Sequence, residues 1–130
     1  MKQILLAVMA VSSFAFANSA VANVNFKSPS GNIACTGYHN GDGVDCVIYQ
    51  TNANGLCGGR AVQLGIWGVV DDMSCNVNVR QWKSKNYQTL QYGKTIKGKD
   101  WRCTSKQSGM TCTTNAGFSM HLSRASQHAF

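Results

Sequence analysis

Residues 31–47 read GNIACTGYHNGDGVDCV, and residues 99–113 read KDWRCTSKQSGMTCT. Each segment places a cysteine in one strand-like run, passes through a polar turn, and returns with a Gly-x-x-Cys run. Directly opposed residues of an antiparallel pair have Cα atoms about 4.5–5.5 Å apart, a separation that a disulfide accepts. The sequence therefore predicts two similar β-hairpins, each closed by its own disulfide.

The chain contains six cysteines, a number that allows fifteen pairings. The predicted pairs are Cys35–Cys46 and Cys103–Cys112 from the hairpins and, by elimination, Cys57–Cys75. A structural zinc site usually needs closer cysteines, as in C-x2-C, whereas the shortest spacing here is nine positions. The pattern therefore indicates a disulfide framework, with no metal and no cofactor.

An export signal precedes the cysteines. Lys2 is followed by an apolar run over residues 4–17 and by Ala20-Val21-Ala22 as a small-x-small cleavage site. This pattern predicts a signal peptide over residues 1–22 and a single disulfide-stapled domain over residues 23–130. No later run approaches the roughly 18 apolar residues of a membrane span. We therefore expect an exported protein, periplasmic or secreted, with no transmembrane segment.

Strand patterns dominate the domain, and helical periodicity is nearly absent. Loops are predicted at residues 51–60 and 71–74, and a short helical turn at residues 124–130. The predicted strands are residues 24–26, 33–38, 44–49, 61–70, 75–79, 88–92, 95–104, 110–114 and 118–123. The fold class expected is all-β, a small antiparallel sandwich or barrel built around the two hairpins.

Several motifs resemble an uncharacterised family of small exported bacterial proteins. The matching stretches are FKSPSGNIAC at 26–35, LQYG at 90–93, the second cysteine hairpin, GF at 117–118 and LSR at 122–124. Met110 replaces the valine usual in that family, and two extra residues precede Leu122. The resemblance covers the two ends of the domain and little of residues 50–85. It implies export and a stapled β domain, and it transfers no activity or catalytic residue.

Positive charge is concentrated in one segment of the chain. The formal net charge is +7, and the chain contains no glutamate. Four aromatic residues, Trp82, Tyr87, Tyr92 and Trp101, lie between the basic residues. The candidate ligand-binding residues are Arg80, Lys83, Lys85, Lys94, Lys97, Lys99, Arg102 and Lys106. Cations attract polyanions, and exposed aromatic rings stack on sugars or bases.

Strand alternation offers a second interpretation of this segment. Arg102 and Lys106 fall on the face opposite Trp101, so the cations can be a solvated surface over a core tryptophan. Export argues against nucleic acid as the physiological partner. The leading hypothesis is a non-enzymatic binding module for an anionic envelope component or an acidic protein. It predicts that binding is lost when Lys94, Lys97 and Lys99 become glutamine.

Two other functions remain open from the sequence. A small hydrolase of cell-wall or other anionic polymers would need His121 or His39 beside an aspartate. Asp71 and Asp72 are adjacent, so their side chains point apart on a strand, and Asp42 and Asp45 flank a turn. No Ser-His-Asp or Cys-His arrangement is evident, which disfavours an enzyme. An inhibitor of an envelope hydrolase would instead use the rigid loop over residues 51–60.

Overall fold

Antiparallel strands make up most of the regular structure of this protein. The structure is a computed structural model that describes residues 23–39 and 43–130. The predicted signal peptide and Asp42 lie outside these residues. In chain order the elements are β1 (Val24–Lys27), β2 (Ile33–Gly37), β3 (Gly43–Ile48), β4 (Val62–Trp67), β5 (Val70–Ser74), α1 (Val79–Lys83), β6 (Gln88–Thr89), β7 (Thr95–Lys97), β8 (Trp101–Lys106), β9 (Gly109–Thr114), β10 (Ser119–Leu122) and β11 (Gln127–Ala129).

Both predicted cysteine hairpins are confirmed. β2 pairs with β3, and β8 pairs with β9, so that each cysteine lies directly opposite its partner. The three disulfides are those predicted, Cys35–Cys46, Cys57–Cys75 and Cys103–Cys112. All six cysteines of the chain are therefore paired.

The strands form two sheets that face each other as a sandwich rather than a closed barrel. The six-stranded sheet has the order β5-β4-β3-β2-β1-β6, and the five-stranded sheet has the order β11-β10-β9-β8-β7. At the centre of the core, the Sγ atoms of Cys46 and Cys112 are 4.0 Å apart, so the two hairpin disulfides are in contact. Beside them Phe26 stacks on Trp101, with 5.9 Å between ring centroids. One hairpin thus belongs to each sheet, and their disulfides meet between the sheets.

Alternation along β8 confirms the predicted facing of the second hairpin. Trp101, Cys103 and Ser105 are buried, whereas Arg102 and Lys106 are exposed. The first hairpin behaves differently, because β2 and β3 are buried along their whole length. The outer face of their sheet is covered in part by Trp82.

Helix α1 provides that cover. The Asn78 side chain accepts a hydrogen bond of 3.1 Å from the backbone N–H of Gln81, which caps the first turn. The helix then places Trp82 against Ala34 and Val47 in a second, smaller hydrophobic cluster. No described helix has the length and hydropathy that a membrane crossing requires.

Several local predictions were wrong. The predicted strand over residues 61–70 breaks between β4 and β5, and the one over residues 88–92 shortens to β6. The expected loop over residues 71–74 belongs to strand β5, which pairs with β4 at the edge of the sheet. The expected helical turn at residues 124–130 contains β11, which pairs with β10. The expected strand over residues 75–79 leads into α1, and the stretch 95–104 divides into β7 and β8. Aspartate is depleted in strands, so pairing with β4 overrode the local pattern at residues 71–74.

The contact between the two hairpin disulfides predicts which disulfide contributes most to the free energy of unfolding. Cys57–Cys75 closes a loop of 18 residues and Cys103–Cys112 one of 9. From loop-closure entropy alone, Cys57–Cys75 should therefore contribute about 0.6 kcal/mol more to stability. Replacing Cys103 and Cys112 by alanine also leaves a void in the centre of the core. We therefore expect that pair of substitutions to lower the free energy of unfolding by roughly 3–5 kcal/mol.

Urea unfolding of the two double variants measures this order. The Cys57→Ala/Cys75→Ala variant serves as the control, and its loss should be smaller by about 1 kcal/mol or more. If the control loses more free energy of unfolding than the Cys103→Ala/Cys112→Ala variant, loop closure rather than packing in the core determines how much each disulfide stabilises the fold.

Candidate functional site

One end of the sandwich carries a cavity of about 500 Å³, here called the end cavity. The segments that surround it are distant in the chain. They are the turn between β1 and β2, the end of β3, α1, the segment between β6 and β7, the turn between β8 and β9, and the residues that follow β10. All of these strand ends lie at the same end of the two sheets, because the hairpins are antiparallel and in register. A cavity of this size suits a small ligand or one unit of a polymer.

Three cations line the end cavity. Lys83 comes from α1, Lys106 from the end of β8, and Arg124 from the segment after β10, and all three are exposed. An adjoining cavity of about 340 Å³, here called the side cavity, shares Lys83 with the end cavity and adds Lys27 and Lys85. No acidic residue of the described chain lines either cavity. The local field at this end of the molecule therefore favours an anion.

The wall of the end cavity is held by side-chain hydrogen bonds. The Ser28 Oγ accepts a hydrogen bond of 3.1 Å from the Ile33 backbone N–H. The Asn32 amide clamps Gln50, accepting from its backbone N–H at 2.9 Å and donating to its carbonyl at 3.0 Å. Gly31 turns the chain with a φ of 78°, which suits glycine. The SPSGN motif thus builds a rigid turn, and its backbone and hydroxyls form part of the cavity.

Tyrosine side chains lie beside the cations that line the two cavities. Lys83 Nζ lies 4.9 Å from the centroid of the Tyr49 ring, within cation–π range. Tyr92, which is 42% exposed, lines the end cavity, and Tyr87 lines the side cavity. Burial raises the pKa of both Tyr49 and Tyr87. These phenols stay neutral at physiological pH and add hydrogen-bonding groups without adding negative charge.

The structure separates the eight basic residues predicted from the sequence. Lys83 and Lys106 line the end cavity, and Lys85 lines the side cavity. Arg102 and Lys106 lie on the outer face of the five-stranded sheet, beside a shallow depression of about 220 Å³. The residues that line none of these cavities are Arg80, Lys94, Lys97 and Lys99. The basic residues that line cavities therefore belong to two surfaces, the walls of the end and side cavities and the outer face of the five-stranded sheet, and these surfaces share Lys106.

Sequence reasoning missed Lys27 and Arg124, because both lie outside the segment 80–106. A signal for Arg124 was present in the sequence. The SPSGN, LQYG and LSR motifs, read separately along the chain, each contribute residues to the end cavity. Of the four interleaved aromatics, Trp82 and Trp101 are buried and so cannot stack on a ligand.

The histidine and cysteine side chains considered as catalytic or metal-binding groups make structural contacts. His121 Nδ1 lies 2.8 Å from the Thr111 hydroxyl, and its ring centroid lies 6.0 Å from that of His128. Burial and the proximity of His128 lower the pKa of His121. Sulfur atoms of Cys35, Cys46 and Cys112 lie within 4.8 Å of one another, but all three are oxidised. Disulfide sulfurs are not thiolate ligands.

Asp45 occupies a position that its sequence context did not reveal. It points to the outer face of the six-stranded sheet in β3 and is 8% exposed. Its Oδ2 accepts a hydrogen bond of 2.8 Å from Gln63 Nε2. Burial raises the pKa of Asp45 to about 6; the Gln63 hydrogen bond and Lys85 act to lower it, whereas Asp72 adds to the rise.

Comparison with known proteins identifies one similarity. Residues 67–130, just under half of the chain, match the model of a family of unknown function, DUF6636. This agrees with the resemblance of the sequence motifs to an uncharacterised family. No curated protein and no solved structure matches the chain. The site must therefore be interpreted from its own chemistry.

The pKa of Asp45 predicts a pH dependence of stability. The folded protein keeps this proton up to about pH 6, whereas the unfolded chain loses it near pH 4. Between these values the folded state binds more protons, so the free energy of unfolding falls as pH rises. We expect Asp45→Asn, which cannot ionise, to lose roughly 2–3 kcal/mol less than the wild type between pH 4 and pH 7.

Urea unfolding of the oxidised protein at pH 4, 5, 6 and 7 tests this expectation. Asp71→Asn, which removes an exposed carboxyl from β5, is the control. Parallel stability profiles for the wild type and Asp45→Asn would show that folding leaves the pKa of Asp45 unchanged, which would contradict this expectation.

Proposed function

We propose that this protein is an exported, non-enzymatic binding module whose end cavity takes an anionic group of an envelope component. The observation that carries the proposal is the convergence of Lys83, Lys106 and Arg124 on one cavity. These cations come from three separate parts of the chain. Their meeting is a property of the fold rather than of a basic stretch of sequence.

The chemistry of the lining supports a phosphate- or carboxylate-bearing sugar. Three cations can neutralise one or two such groups, and the guanidinium of Arg124 can bind an oxyanion through two parallel hydrogen bonds. Tyr49 and Tyr92 supply aromatic surface beside them. Ser30, Gln107 and Ser123 add polar groups suited to hydroxyls.

Rigidity also supports a binding role. The wall formed by the SPSGN turn is fixed by the hydrogen bonds of Ser28 and Asn32, and both adjoining hairpins carry disulfides. A preorganised site loses little conformational entropy when it binds, so modest contacts suffice for specific affinity.

Localisation outside the cytoplasm supports the choice of partner. Three disulfides indicate an oxidising compartment, because cytosolic thiols are kept reduced. The predicted signal peptide agrees with this. The anions that such a protein encounters are acidic polysaccharides, phosphorylated glycolipids and acidic proteins, and the size of the end cavity favours a sugar-linked group.

An inhibitor of an envelope hydrolase is the second candidate, and the loop over residues 51–60 favours it. The Thr51 hydroxyl donates to the Arg60 carbonyl at 2.8 Å, closing the base of the loop. The backbone N–H of Leu56 donates to Gln127 Oε1 at 3.0 Å, while the Leu56 side chain is 49% exposed. A rigid loop that presents one apolar side chain suits insertion into a groove.

A hydrolase receives no such support, since the lining of the end cavity contains neither histidine nor aspartate.

Two triple variants with the same change of charge test the proposed function. Lys83→Gln/Lys106→Gln/Arg124→Gln removes the cations of the end cavity, and Lys94→Gln/Lys97→Gln/Lys99→Gln removes three that lie elsewhere. We expect the first to weaken binding of purified lipopolysaccharide or teichoic acid at least tenfold and to reduce the salt slope by roughly two to three. The sequence alone predicted that the second would abolish binding, but its three lysines line none of the cavities described. The second should therefore change affinity by less than about threefold.

Biolayer interferometry with the oxidised protein at several salt concentrations between 50 and 500 mM measures both quantities, with neutral dextran as the negative control. Equal losses in the two triple variants would mean that net charge, and not the end cavity, holds the polymer. The immobilised protein can also be exposed to a solubilised cell-envelope extract at 50 and 500 mM salt. Retention of a single protein at both concentrations, lost on Leu56→Asp, would favour the inhibitor instead.

A further inference from the structure

Trp67 lies apart from both hydrophobic clusters of the protein. It ends β4 on the outer face of the six-stranded sheet, opposite Gly43 on one neighbour and Val70 on the other. Trp82 and Trp101 are 7% and 1% exposed, whereas Trp67 is only half-buried and packs into neither cluster. Burial in a core therefore does not account for the position of this indole.

The indole of Trp67 rests on bare backbone. A Cβ atom added to Gly43 would lie 2.1 Å from Trp67 Cδ1, and one added to Gly65 would lie 2.4 Å from Trp67 Cη2. These two atoms belong to opposite ends of the indole, so both of its rings approach the sheet. The glycines thus let the aromatic plane lie flat across β3 and β4, with one face against the sheet and the other turned away from it.

Polar groups border this aromatic surface. The Cβ position of Gly65 is 3.0 Å from Asp45 Oδ1, which places that carboxylate beside the indole. Gln63 donates a hydrogen bond to the other carboxylate oxygen, Oδ2, so that Oδ1 is the oxygen nearest Gly65. Asp72, opposite Gly65 on β5, adds a second carboxylate on the same face. Hydrogen-bond acceptors therefore lie at the edge of a flat apolar platform.

We propose that Trp67, with the exposed Asp72 and the largely buried Asp45 beside it, forms a binding subsite for an uncharged pyranose sugar. A pyranose ring has a face of C–H groups that packs on an indole, and hydroxyls around its rim that donate hydrogen bonds to a carboxylate. The two aspartates disfavour an anionic ligand here, in contrast to the end cavity. Partial protonation of Asp45 near pH 6 is compatible with a neutral partner.

This subsite is independent of the end cavity. Trp67 lies beside Gly43 at the start of β3, whereas the end cavity is lined by Ile48 at its end. The six residues of β3 span about 17 Å at the usual rise of an extended strand. The two sites therefore bind separate groups, and each can be tested while the other is disabled.

Titration of the oxidised protein with chitotetraose, cellotetraose and maltotetraose tests the subsite through tryptophan fluorescence. The two buried tryptophans are shielded from solutes, so a ligand on Trp67 dominates the response. We expect a saturable change with at least one of these oligosaccharides, with equal affinity at 50 and 500 mM salt. Trp67→Ala should weaken binding at least tenfold, and the Lys83/Lys106/Arg124 triple variant should bind as the wild type does.

Absence of a saturable change with all three oligosaccharides at 10 mM would overturn the proposal. So would a response to choline chloride alone, because that result would make the site one for cations. Trp67→Phe, which keeps an aromatic ring on the glycines, should bind several-fold more weakly than the wild type. Should Trp67→Ala fail to fold, NMR titration of the wild-type protein replaces it as the test. The proposal requires the indole N–H resonance of Trp67 to shift when the oligosaccharide is added. A shift confined to the resonances of Trp82 or Trp101 would contradict it.

Discussion

The contact between two disulfides in the middle of the core organises this protein. Each hairpin presents its disulfide on the inward face, and the 4.0 Å between Cys46 and Cys112 joins the two sheets at one point. Phe26 and Trp101 stack beside this contact. Because strand alternation is fixed once the cysteines face inward, the same constraint sends Arg102 and Lys106 to the surface. The exposure of these two cations therefore follows from the inward position of the cysteines.

The sandwich also brings strand ends together at its two ends. At one end the turns carry Lys106 and the SPSGN motif, and α1 adds Lys83, so a cationic cavity forms between segments distant in the chain. The outer face of the six-stranded sheet has the opposite character, with Asp45 and Asp72 near the half-buried indole of Trp67. A small domain thus presents two chemically distinct surfaces separated by the length of one strand. This separation suits a ligand that carries both charged groups and neutral sugar rings.

Glycines at a few positions decide where the tryptophans lie. Trp101 approaches Gly37 so closely that a Cβ there would be 1.9 Å from its ring, which lets the indole enter the core. Trp67 uses Gly43 and Gly65 in the same way but on the outside of the sheet. In both cases the missing Cβ of a glycine makes room for an indole. At Trp101 this permits burial in the core, and at Trp67 it leaves an aromatic surface on the outside of the sheet.

The sequence by itself determined the disulfide pairing, the all-β class and the facing of β8, because these depend on local spacing and on the two-residue period of a strand. It did not reveal β5 or β11, since residues 71–74 and 127–129 become strands only by pairing with a neighbour. Likewise it named Lys83 and Lys106 but missed Lys27 and Arg124. Only the tertiary structure decided which cations share a cavity and that Asp45 is buried, because both depend on how the sheets and α1 pack together.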